Sequence, residues 1–237
     1  MIRTVLVALM LALTVLFVLP WLILWVVITG SPDSMYWLAM RIVRFATRRL
    51  GVRVRVEGLE NVPRQPCVFV ANHTSTIDPM ALLPAIPKRV GIVVKQELFR
   101  VPIFATGMRA VQFVPVNRGD KESTTAVVPL AEQYLRRGLS YMFFSEGTRS
   151  LDGRLRPFRR GAFTLAISAG VPVVPVSIVG AHKLMRKGSL VVHPGEVIVR
   201  FGHSVEASAY TMDQRGALIA RVETLVAAGL PSDQQPA

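Results

Sequence analysis

Apolar residues are distributed along the chain in two different ways. From Thr4 to Pro32 no side chain is charged, and Thr4 to Ile28 is almost wholly Leu, Val, Ala, Ile, Phe, Met and Trp. At ~1.5 Å per residue such a stretch can cross a ~30 Å hydrocarbon layer with some tilt. It is longer than the ~7–15-residue apolar core of a signal peptide, and Ile28-Thr29-Gly30-Ser31 is a poor cleavage site, so the segment is expected to be retained. Pro20, near its middle, leaves open whether the helix spans or re-enters from one side. Ser34 to Leu50 then reads as a second helix, with Arg41, Arg44 and Arg48 on one stripe and Leu38, Ile42, Phe45 and Ala46 on another.

After Val52 the periodicity changes. Val52-Arg-Val-Arg-Val56 alternates strictly, and short apolar runs follow at Cys67–Ala71, Val90–Val94, Val111–Val116, Tyr141–Phe144, Val173–Val179, Leu190–Val192 and Val197–Phe201. These predict strands. Helices are expected at Pro79–Ala85, at Gln96–Met108 with a break at Pro102, at Glu122–Arg137 through Pro129, and at Arg159–Ala169. A last helix is marked by the capping-box spacing of Thr211-Met-Asp-Gln214 and closed by Pro231. The alternation predicts an α/β domain with a mixed, mostly parallel sheet flanked by helices. The expected organisation is N-terminal membrane-anchoring helices over 1–50, an α/β domain over 51–230 and a polar tail over 231–237.

Composition narrows the function. The chain has 237 residues, 51% of them hydrophobic, which excludes a disordered protein. One cysteine, Cys67, excludes a disulfide scaffold and argues against a cysteine-based zinc site. With 28 Lys+Arg against 15 Asp+Glu the net charge is +13, which calls for an anionic partner. Because the arginines of the second helix, with Arg53 and Arg55, directly follow the apolar run, an anionic membrane surface is expected, with the main domain on the cytoplasmic face. Nucleic acid is not expected, since the distinctive residues collect at strand ends and do not run along one element among aromatics.

Those strand ends carry the chemistry, because ligands of open α/β sheets bind past the C-terminal ends of the strands. Asn72-His-Thr-Ser-Thr-Ile-Asp78-Pro79 follows the second predicted strand. On a continuous helix His73 and Asp78 would lie about 140° apart, so they pair only if the chain folds back between them. Asp78-Pro79 suits a helix start with Asp at N-cap, and an Asp held there can orient the His73 imidazole as a general base. The plainer alternative is a capping Asp and a satisfied loop histidine. With no further His or carboxylate nearby in the sequence, a metal is not expected. Two further clusters are Asn117-Arg118 and Ser145-Glu-Gly-Thr-Arg149-Ser150, whose arginines, expected at adjacent strand ends, suit a phosphate. Ser145 lacks the flanks of a G-x-S-x-G nucleophile elbow.

Read in order, these blocks resemble the glycerolipid acyltransferase family, typified by lysophosphatidic acid acyltransferases. Asn72-His73 to Asp78 is similar to its N-H-x4-D block, and Phe113 to Arg118 to its strand ending in Asp-Arg. Phe144-Ser-Glu-Gly-Thr-Arg-Ser150 is similar to its F-P-E-G-T-R-S block, Val171-Pro-Val-Val-Pro175-Val to its proline block, and Lys95-Gln-Glu97-Leu98 to its K-x-E-L. Asn117, Ser145 and Gln112 stand where the family usually has Asp, Pro and Gly. The resemblance implies transfer of an acyl group from a thioester, acyl-CoA or acyl carrier protein, to the free hydroxyl of lysophosphatidic acid, giving phosphatidic acid without a cofactor. It implies His73 and Asp78 as the catalytic pair and Lys95, Arg118, Glu146, Gly147, Thr148 and Arg149 as substrate-binding residues. The departures leave open a different lysolipid acceptor. A membrane-tethered basic protein without catalysis and a hydrolase using Ser145 are the rivals.

Overall fold

The computed structural model describes residues 2–117, 121–186 and 188–236, and their side chains except at 103–104 and 121–126. The apolar N-terminus forms two helices, α1 (Ile2–Phe17) and α2 (Leu19–Thr29), bent by 40° at the break. Pro20 sits in the first turn of α2, where its missing N–H interrupts nothing in α2 itself but ends the hydrogen-bonded run of α1. No single helix among the described residues is long and apolar enough to cross a membrane; only the bent pair passes by length and composition. The Thr4–Ile28 stretch is thus two helices bent at the break before Pro20, which fits either a kinked span or a re-entrant pair. Gly30, in the left-handed conformation at φ 66°, caps α2 and turns the chain into α3 (Asp33–Arg49).

Seven strands follow: β1 (Val52–Glu57), β2 (Val68–Ala71), β3 (Val90–Lys95), β4 (Val114–Val116), β5 (Ser140–Phe144), β6 (Val173–Val179) and β7 (Gly195–Phe201). They form one sheet in the order β1-β7-β6-β2-β5-β3-β4, and every pairing is parallel except β6 with β7. The sheet is mixed and mostly parallel, as the alternation of strands and helices predicts. Helices α4 (Ile77–Leu82), α5 (Pro102–Ala110), α6 (Lys121–Arg136), α7 (Gly161–Ala169), α8 (Ala181–Leu184) and α9 (Arg215–Ala228) complete the chain.

The period-2 alternation of the central strands explains the layering. Phe69 and Ala71 point to one face, where Met35, Tyr36, Met40 and Ala46 of α3 join Ile77 and Leu82 of α4 in a buried cluster. Val68 and Val70 point to the other, against Ala131 and Leu135 of α6, Phe163 and Leu165 of α7, and Leu218 and Val222 of α9. Residues of α1 and α2 pack on the first cluster with one side only. Their other side leaves Trp21, Trp25, Val27 and Ile28 exposed.

Three local expectations need correction. Leu190–Val192 is not a strand, because the Val191 N–H is taken by the Ser189 hydroxyl and that of Val192 by Thr4 Oγ1, leaving no free ladder. The expected strand Val111–Val116 begins only at Val114: α5 runs to Ala110, and Gln112 takes a left-handed conformation, φ 64°, between the two elements. The reciprocal Thr211–Gln214 bonds do form, but they close a turn ahead of α9, which starts at Arg215.

Candidate functional site

Parallel strands β2, β6, β5, β3 and β4 deliver their C-terminal ends to one edge of the sheet, and the chemistry-bearing blocks gather there. The edge is locked by Asn72, fully buried at the end of β2. Its carboxamide accepts from the Ile178 N–H (2.7 Å) and donates to the Ile178 carbonyl (2.9 Å), so the side chain continues the β2–β6 ladder after the backbone has turned away. Nothing in local spacing signals this role, since the partner lies 106 residues away.

The released backbone forms the turn that a His–Asp pair requires. Asp78 Oδ2 accepts from the backbone N–H groups of Thr74 (2.6 Å) and Ser75 (2.7 Å) and from His73 Nδ1 (2.9 Å). The carboxylate thus organises the loop that carries its own partner. Asp78 is not the N-cap of α4 as expected; Thr76 precedes the helix, and Asp78 lies in its first turn, where a negative charge is also favoured by the helix dipole. With Nδ1 held by Asp78, the imidazole presents Nε2 as its proton-accepting nitrogen. The ring stacks on Phe144 at the end of β5, 4.1 Å between centroids and 20° from parallel, which fixes its plane.

The block after β5 wraps around this pair. Glu146 is buried and accepts the His73 backbone N–H at Oε1 (2.8 Å), while its Oε2 has no hydrogen-bond partner among the described residues. Burial pushes its carboxyl up to about 8, opposed by the His73 N–H and reinforced by the nearby Asp78 charge. Glu146 is therefore turned inward. Gly147 has φ 76°, and a Cβ there would come within 2.3 Å of Arg159 Nε, so only glycine fits this turn. Ser150 N–H donates to the His73 carbonyl (2.8 Å), and the Arg149 guanidinium donates to Thr76 Oγ1, tying the two blocks together. Thr148 is half-buried beside them.

Lys95 ends β3 on the same edge, 57% exposed and 2.8 Å from Glu97. Arg118 lies outside the described residues. The strands that precede Arg118 and Arg149 are not adjacent as expected, because β3 runs between β4 and β5. A pocket of about 120 Å³ opens beside the block, lined by Val116, Val127, Phe144, Ser145, Gly147 and Arg159. Ser145 Oγ is buried and has no hydrogen-bond partner among the described residues, so it lacks the base a nucleophilic serine requires. Among the described residues no three His, Cys, Asp or Glu side chains are grouped to hold a metal ion.

One more support escapes sequence reasoning. The expected polar tail includes a short turn, Ser232–Gln234, that docks next to the site: the Gln234 carbonyl accepts from Leu155, its side chain is buried against His182, and Asp233 pairs with Lys183. Ser75 Oγ, in the His73–Asp78 loop, donates to the Met185 carbonyl after α8 (2.7 Å).

A buried Asp–His pair on the C-terminal edge of a mostly parallel sheet, beside a glycine turn that carries Arg149, is an arrangement suited to acid–base chemistry. The chain belongs to the Acyltransferase family, which matches residues 53–179. It is 40% identical over 136 residues to the chloroplastic 1-acyl-sn-glycerol-3-phosphate acyltransferase BAT2 of Brassica napus, a match covering 56% of this chain and 39% of that one. It is 31% identical over 158 residues to the 1-acyl-sn-glycerol-3-phosphate acyltransferase of Pseudomonas aeruginosa, covering 66% and 61%. The crystal structure of the 1-acyl-sn-glycerophosphate acyltransferase PlsC from Thermotoga maritima superposes with a TM-score of 0.80 at 25% identity, covering 96% of this chain and 93% of that one. The match spans about two fifths of the length of the chloroplastic relatives.

Proposed function

We propose that this protein transfers a fatty acyl group from an acyl thioester to the free hydroxyl of lysophosphatidic acid, giving phosphatidic acid at a membrane surface. The observation that carries the reading is the closed His73–Asp78 turn, with Nδ1 committed and Nε2 available. His73 Nε2 takes the proton of the acceptor hydroxyl as its oxygen attacks the thioester carbonyl. The carbon–sulfur bond then breaks, and the departing thiolate takes that proton from the imidazolium. No acyl-enzyme is needed, consistent with a Ser145 Oγ that has no hydrogen-bond partner among the described residues. Lys95, Gly147, Thr148 and Arg149 receive the acceptor phosphate, with Glu146 holding the turn from inside, and Arg118 is assigned to the same phosphate on the family resemblance alone. The thioester is that of coenzyme A or acyl carrier protein, and its fatty chain has apolar space at hand, including a cavity of about 340 Å³ between α1–α3 and α5.

The exposed Trp21, Trp25, Val27 and Ile28 and the arginines of α3 support residence on an anionic membrane, with the sheet domain on the cytoplasmic side. The activities for which the relatives are named support the choice of acceptor. The test is transfer from acyl-CoA to lysophosphatidic acid by the full chain. His73→Ala should lower kcat by roughly 10²–10⁴-fold, the usual worth of a positioned general base. Asp78→Asn should lose most activity, and Ser145→Ala little. A lethal Ser145→Ala with a harmless His73→Ala would replace this mechanism by a serine hydrolase.

A further inference from the structure

The edge of the sheet opposite His73 carries a second concentration of charge. Strands β2, β5 and β3 are parallel neighbours, so the residues just before them, Pro66, Arg137–Leu139 and Lys88–Arg89, emerge side by side at their N-terminal ends. With Arg64 and with Asp33 and Trp37 of α3 they enclose a cleft of about 300 Å³. Strands of four to six residues at ~3.3 Å each put it roughly 13–20 Å from the catalytic edge, too far for one phosphate to touch both.

The cations of this cleft are positioned but not neutralised. Lys88 Nζ donates to three backbone carbonyls, those of Pro63, Arg64 (3.2 Å) and Gln65 (2.9 Å), which fix the ammonium without cancelling its charge. Arg89 Nε pairs with Asp33 (3.0 Å), the one carboxylate lining the cleft, while its Nη1 is buried with no hydrogen-bond partner among the described residues. Among the described residues the exposed Arg64 and Arg137 side chains pair with no carboxylate. Four cations thus face one acid, and the exposed guanidinium groups of Arg64 and Arg137 are turned to the solvent side, open to an outside acceptor. A phosphomonoester fits this demand. It offers three terminal oxygens and about −1.5 to −2 charge at neutral pH, and guanidinium forks bind it in pairs of hydrogen bonds. A carboxylate offers two oxygens and half the charge.

We propose that this cleft is a second phosphate site, separate from the acceptor site, that binds the phosphomonoester of a glycerol phosphate, free or as a lipid headgroup. The cleft starts three residues after Gly30, the cap of α2, and Trp37 lines its wall. If the exposed face of α2 rests in the membrane interface, as proposed above, the cleft meets the headgroup layer. The lipid source rests on that reading; the soluble source does not.

The test uses the full chain in detergent and the double variant Arg64→Gln/Arg137→Gln, whose altered side chains are exposed and whose unliganded melting temperature should match the parent. One arm adds sn-glycerol 3-phosphate and reads the rise in Tm, in the parent and in Arg149→Gln, where the catalytic-edge phosphate site is weakened. The other arm measures flotation with phosphatidylcholine vesicles carrying phosphatidic acid, against vesicles of equal charge carrying phosphatidylglycerol. Loss of two charged hydrogen-bonding groups should weaken binding by at least about tenfold. A Tm rise kept in Arg149→Gln and lost in the double variant supports the site with a soluble ligand. A selective loss of phosphatidic acid binding supports it with a lipid. An unchanged response in both arms, or an equal loss for the two vesicle types without that Tm result, overturns it. Neither arm reads catalysis, so failure here leaves the proposed reaction untouched.

Discussion

Glu146→Gln should make the protein more stable above neutral pH while leaving it little changed in acid. The carboxyl is buried beside the Asp78 carboxylate, and burial displaces it from 4.5 to about 8. Below pH 4.5 the group is protonated in both folded and unfolded chains and contributes no pH dependence. Between 4.5 and 8 the unfolded chain releases this proton while the folded chain keeps it. Stability then falls by up to ~1.4 kcal/mol per pH unit and levels off above 8. Over that window the ceiling is about 5 kcal/mol, and a few kcal/mol is the expected size. Glutamine keeps the shape and the acceptor for the His73 N–H (2.8 Å) but has no proton to lose. Urea unfolding of the detergent-solubilised chain, parent against variant from pH 4.5 to 9, measures the difference directly. The gap should open with rising pH in favour of the variant. A stability difference that does not vary with pH would refute the assignment of a neutral Glu146.

Three further outcomes are expected. Gln112→Gly should stabilise by about 1 kcal/mol, because it removes the left-handed cost at φ 64° and a buried Oε1 without a partner, and should raise Tm by roughly 2–4 °C in a thermal melt. Arg149→Ala should raise the KM for lysophosphatidic acid about tenfold or more with less change for the acyl donor, and Arg149→Lys should restore it only in part; an unchanged acceptor KM would remove Arg149 from the phosphate site. Sedimentation of membranes in about 1 M salt should leave the full chain membrane-bound, since salt at that level screens the arginines but not the exposed tryptophans of α2.

The central strands were readable because β2 and β6 are buried on both faces and so appear as apolar runs, β6 broken only by Ser177. The His73–Asp78 pair was readable as residue types and spacing, but its geometry was not. The turn is closed by two backbone N–H groups, of Thr74 and Ser75, which every sequence possesses and no pattern marks. Leu190–Val192 failed because strand propensity cannot anticipate that two hydroxyls, one from Thr4 at the other end of the chain, take the N–H groups a ladder needs. Gln112 carried a hint: it stands where the family resemblance implies Gly, and its backbone takes the left-handed conformation that glycine adopts most readily. The Asn72 clamp and the docked Gln234 depend on partners far away in sequence and left no local trace.

The Asn72 clamp also bears on how the protein ages. Its two bonds to Ile178 run in opposite directions, one accepted and one donated, and only a carboxamide can supply both from a single side chain. Deamidation would put an acceptor opposite the Ile178 carbonyl, and a negative charge in a fully buried position, one residue before His73. The loss would fall on the ladder between β2 and β6, the two strands whose spacing sets where the histidine stands. Hydrolysis of this one amide would thus register as a displaced His73, at a distance from the bond that was broken.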